Sequence, residues 1–122
     1  DVTLVATGIM VSKAAEAAEA LAAEGISAAV VNISTIKPLD NALITEMAQK
    51  TGAVVTCEEH NIYGGLGSAV AEVLVENCPV PMARVGVEDS FGESGLPDQL
   101  LEKYGLTAAN IADKAKAVIA RK

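Results

Sequence analysis

The chain has 122 residues, 51% of them hydrophobic but only 2% aromatic, with a formal net charge of −7. That length builds one domain around one core, and the core must come from Ala, Val, Ile and Leu. An acidic domain gains nothing from counterion release on nucleic acid and is repelled by anionic membrane surfaces, so neither is an expected partner. No apolar run approaches the ~20 residues that a membrane span needs. Residues 101–122 carry five basic and two acidic side chains, and the rest carries four basic and fourteen acidic. Cations near the carboxyl end of a last helix, opposing its dipole, account for that asymmetry. The sequence opens Asp1-Val2-Thr3-Leu4-Val5, a strand pattern without a signal peptide or a starting Met. This reads as a piece cut from a longer chain. Cys57 and Cys78 are the only cysteines, and two lone thiols in an α/β chain suggest a reducing, cytoplasmic setting. Nothing matches zinc spacing.

Val2–Thr7 is a β-rich run closed by Gly8. Ser12 is placed to cap a helix over Lys13–Glu24, with Gly25 as its stop. Ser27–Ile33 is a second strand, apolar on both faces, as in parallel sheets covered by helices on each side. After Pro38, Asp40 caps a helix running to about Lys50, with Leu43, Ile44 and Met47 at core spacing and Gly52 at its end. Ala53–Cys57 is the third strand, and a charged, glycine-rich turn follows. A helix from Leu66 to about Asn77, a fourth strand over Met82–Val87 and a loop over Ser90–Gly95 come next. Pro97 opens a short helix ending near Tyr104. Thr107 caps the last helix, Ala108 to about Ala120.

Strands alternating with helices imply right-handed βαβ units. The expected fold is α/β, a three-layer α/β/α unit over residues 1–122 with a mainly parallel sheet of four strands in the order 2-1-3-4. Its switch point falls between the first and third strands. Thr7-Gly8 and the turn from Glu58 to Gly67 should meet there, where open α/β sheets gather ligands and partners.

That turn is the most informative stretch. It holds the only histidine, two adjacent carboxylates and three glycines: Glu58, Glu59, His60, Asn61, Ile62, Tyr63, Gly64, Gly65, Leu66 and Gly67. Glycines before a helix resemble an anion cradle. Yet Glu58 and Glu59 lie directly upstream and no Lys or Arg is near. The other reading is that the glycines let the helix pack closely on the strand. Glu58 and Glu59 are neighbours in an extended segment, so they point to opposite sides and do not share a proton. One is free to cap the helix or bond turn N–H groups while the other faces a partner. His60 is either an acid–base group without a dedicated partner or a hydrogen-bonding residue at a surface or interface. Cys57 reads as a small buried core residue rather than a thiolate. The glycine fingerprint for dinucleotides and the P-loop sequence are absent. A phospho-receiver would need acidic residues where Thr7 stands and an Asp in place of Glu58.

Four segments together resemble the C-terminal domain of transketolase-like, thiamine-diphosphate-dependent enzymes. They are Asp1-Val2-Thr3-Leu4-Val5-Ala6-Thr7-Gly8, Ile36-Lys37-Pro38-Leu39-Asp40, and Glu58-Glu59-His60 with Gly64-Gly65-Leu66-Gly67-Ser68. The fourth is Phe91-Gly92-Glu93-Ser94-Gly95 followed by Tyr104-Gly105-Leu106-Thr107. No motif is specific alone, but four in order cover nearly the whole chain. The last pair is most similar to transketolase, particularly the bacterial form split into two subunits. Deoxyxylulose-phosphate synthase and the β subunit of 2-oxoacid dehydrogenases share other parts, and a free-standing α/β ligand-binding module is the alternative from another class.

The resemblance implies a parent enzyme that binds thiamine diphosphate and Mg²⁺ in other domains and passes two-carbon ketol units between sugar phosphates. The Gly-Asp-Gly…Asn metal signature is not in this sequence. The resemblance therefore assigns no catalytic, cofactor-binding or metal residue here, and expects the isolated 122 residues to be inactive. It leaves Glu58, Glu59, His60, Asn61, Tyr63, Gly64, Gly65 and Gly67 as an interface or structural turn. The implied partners are the remaining domains or an N-terminal subunit, in a homodimer or heterotetramer. Family domains also usually carry a further antiparallel strand before the first, whose absence should leave the second strand as an edge.

Overall fold

The computed structural model describes residues 1–33, 40–61, 65–87 and 105–122, with 59–61 and 87 as backbone only. Four strands form one sheet: β1 (Val2–Ala6), β2 (Ala28–Asn32), β3 (Val54–Asn61) and β4 (Met82–Val87). Their order is β2-β1-β3-β4 and every pairing is parallel. Four helices are described: α1 (Met10–Ala23), α2 (Asn41–Thr51), α3 (Leu66–Asn77) and α4 (Ala108–Ala120). This is the predicted α/β architecture and strand order. The short helix expected from Pro97 to Tyr104, the Phe91–Gly95 segment, and Ile36 to Leu39 lie outside the described residues.

Alternation along the strands builds two cores. Val2, Leu4 and Ala6 of β1 and Val55 and Cys57 of β3 pack against Met10, Ala14, Ala17 and Leu21 of α1 and Ile111, Ala115 and Val118 of α4. Val5, Val31 and Val54 face Ile44 and Ala48 of α2 and Leu66, Val70, Val73 and Leu74 of α3. Alanines on the sheet side of α1 let its backbone lie close, which a core almost without aromatic residues requires. Burial on both faces explains why the strands read as continuous apolar runs. Among the described residues β2 pairs only with β1, and Val30 on it is 37% exposed. Within the described residues β2 is the outermost strand of the sheet on that side.

The helix signals divide instructively. Asp40 caps α2 as predicted, accepting from Leu43 N at 3.0 Å, and Gly52 ends it with φ +75°. Thr107 caps α4 through Asn110 N at 3.1 Å. Ser12, however, does not cap α1. That helix starts at Met10, and the Ser12 hydroxyl donates back to Ile9 O at 3.0 Å. Carbonyls of Thr7 and Gly8, directly after β1, accept from Met10 N and Val11 N at 3.1 Å each. The backbone turn does the work expected of a side chain. The basic end sits where expected: Arg121 is the residue that closes α4 and Lys122 follows it, their N–H groups donating to Val118 O and Ile119 O. Further back, Lys116 reaches Glu24 at the end of α1 at 2.9 Å. An exposed pair of this kind adds little stability.

Candidate functional site

The switch point forms where it was expected. Thr7 N donates to Cys57 O at 3.2 Å, so the end of β1 lies beside the start of the charged segment. The segment itself differs from expectation. β3 does not stop at Cys57 but runs on to Asn61. Its pairing with β4 jumps from Cys57↔Val85 to Asn61↔Val87. Four steps on β3 match two on β4, so 58–60 form an irregularity of the bulge kind. Glu-Glu-His-Asn has poor strand propensity, and pairing with β4 overrides it. Bulges of this sort redirect side chains near the ends of strands.

Glu58 is the side chain redirected most tellingly. It is 2% exposed, and its carboxylate takes two backbone donors, Leu66 N to Oε1 at 3.0 Å and Gly67 N to Oε2 at 2.7 Å. Those are the first two amides of α3. The residue before them, Gly65, has no side chain with which to cap the helix. Glu58, seven residues upstream of Gly65, supplies the missing acceptor. A buried carboxylate needs this compensation. It receives two charge-assisted bonds and the positive end of a twelve-residue helix. The anion-favouring end of α3 is thus engaged by the chain's own carboxylate. Of the two readings for the glycine-rich turn, the anion cradle loses the amides of Leu66 and Gly67 as donors.

Gly67 has a separate role. A Cβ there would sit 2.6 Å from Arg84 Cδ, 2.9 Å from Arg84 Cγ and 3.1 Å from Thr56 Oγ1. The missing side chain lets the start of α3 press onto β3 and β4, and so brings its amides to Glu58. Gly65 has φ −98°, in the extended region, so its conformation does not require glycine. Thr56 lies beneath this corner, fully buried, and its hydroxyl has no hydrogen-bond partner among the described residues. Sequence reasoning singled out neither Thr56 nor Arg84. The only signal would have been strand parity, because Thr56 and Glu58 share a face of β3 and Arg84 pairs with Thr56.

Cys57 points to the opposite core and is fully buried. Burial first, and then the Glu58 carboxylate, push its thiol up to about 12. At neutral pH it is a protonated core group and no nucleophile. The backbone of Glu59, His60 and Asn61 continues β3. Tyr63 and Gly64 lie outside the described residues. The structure therefore brings Glu58, Gly65 and Gly67 together at the start of α3, while the backbone of 59–61 continues β3 alongside β4.

A family model for the transketolase C-terminal domain matches residues 1–111. The chain belongs to that family. It is 58% identical over 122 residues to the 6-deoxy-6-sulfo-D-fructose transketolase subunit SqwH of Clostridium sp. (strain MSTE9), covering 100% of this chain and 38% of that protein. It is 50% identical over 117 residues to the 1-deoxy-D-xylulose-5-phosphate synthase of Heliobacterium modesticaldum, covering 95% of this chain and 18% of the synthase. Among solved structures, a split gene transketolase described as an inactive β4 tetramer superimposes with a TM-score of 0.92 at 57% identity, over 98% of this chain and 39% of that one. The chain thus spans less than two fifths of the length of each of these relatives.

Thiamine diphosphate and a divalent metal, the groups implied by the family, do not fit the described residues. A diphosphate needs free N–H donors, and those of Leu66 and Gly67 are held by Glu58. No group of three or more His, Cys, Asp or Glu among the described residues is close enough to hold a metal ion.

Proposed function

We infer that this chain is the non-catalytic C-terminal domain of a bacterial transketolase, and that it supports assembly of the thiamine-diphosphate-dependent enzyme around it. The parent transfers two-carbon ketol units between sugar phosphates, with cofactor and Mg²⁺ held by other domains or an N-terminal subunit, in a homodimer or heterotetramer. Both cysteines are free thiols, in keeping with a cytoplasmic setting. The observation that carries the reading is the pair of hydrogen bonds that Leu66 N and Gly67 N, at the start of α3, donate to the Glu58 carboxylate. It turns the part of the fold best suited to an anion into a rigid corner. Next to it in sequence stand Glu59, His60, Asn61 and Tyr63, which hold hydrogen-bonding groups but no complete catalytic set. Tyr-containing polar clusters on rigid elements suit interfaces.

Calorimetric titration of this chain with thiamine diphosphate and Mg²⁺ tests the division of labour. No heat of binding is expected, and binding at micromolar strength would overturn it. The identity with the synthase of H. modesticaldum favours one second reading, the same domain of a deoxyxylulose-phosphate synthase. The complete enzyme decides between them. Ketol transfer from sugar phosphates, or from 6-deoxy-6-sulfo-D-fructose as the name of the Clostridium relative suggests, supports transketolase. Formation of 1-deoxy-D-xylulose 5-phosphate supports the synthase.

A further inference from the structure

We draw no further inference here: the strongest candidate, the uncharged outer edge of β2 with its 37% exposed Val30, is unpaired among the described residues, and nothing in the structure shows what covers it.

Discussion

Replacing Glu58 by Ala should be the most damaging single change at the switch point. The substitution removes the acceptor of two bonds, at 3.0 and 2.7 Å, both to a charged and buried group. Hydrogen bonds of that kind contribute about 1.5–3 kcal/mol each, so the gross loss is about 3–6 kcal/mol. Two effects offset it. The carboxylate no longer has to be kept out of water, and water can enter the vacated space to meet the two amides; together these return roughly 1–2 kcal/mol. A net loss of about 2–4 kcal/mol follows, against roughly 5–15 kcal/mol for a typical domain. Urea unfolding of the 122-residue chain reads this directly. With m about 2 kcal/mol/M, the midpoint should fall by about 1–2 M. Glu58→Gln, which keeps one acceptor, should lose about half as much. The loss should persist in high salt, because a buried interaction is screened little. A midpoint shift under about 0.3 M for Glu58→Ala would show that the carboxylate does not hold the helix.

Other substitutions probe the same corner and the core beside it. Thr56→Val keeps the shape and removes a hydroxyl that has no partner among the described residues, so it should stabilise the chain by about 1 kcal/mol in thermal or denaturant unfolding. Gly67→Val should cost about 1–3 kcal/mol, because its first carbon already meets Arg84 at 2.6 Å and Thr56 at 3.1 Å; an unchanged midpoint would mean that Arg84 simply swings aside. Cys57 gives a pH signature. Its thiol titrates at about 12 in the fold against an ordinary value of 9.0, so the folded state holds the proton more tightly. That stability is complete below about pH 9 and is lost as pH rises towards 12, at about 1.4 kcal/mol per pH unit. Cys57→Ala should remove this slope, and a slope that survives the substitution would assign it elsewhere.

The sequence revealed the elements through two kinds of signal, and missed where tertiary contact replaced them. Apolar runs in β1 and β2, and caps such as Asp40 and Thr107, are local facts, and the structure reproduces them. The order of the strands is that of the doubly wound arrangement expected of alternating strands and helices. The start of α1 was hidden because backbone carbonyls of Thr7 and Gly8, not Ser12, receive its first donors. The last residues of β3 were hidden because pairing with β4 holds a sequence that would not choose a strand alone. At the site, alternation separated Glu58 from Glu59. Which of them meets α3 depends on the parity set by Thr56 and Cys57 across the sheet. The glycines were legible as a group but not individually: close approach selects Gly67, and only packed neighbours disclose it.

In the proposed function the segment after Glu58 serves assembly rather than chemistry. Sedimentation of the complete enzyme carrying Glu59→Ala or Tyr63→Ala, beside steady-state kinetics on the same samples, addresses it most directly. The predicted result is weaker subunit association, with activity lost in proportion to the unassembled fraction and normal turnover per assembled enzyme. Turnover that collapses while the assembly stays fully formed would contradict the claim, and would place the turn in the active site.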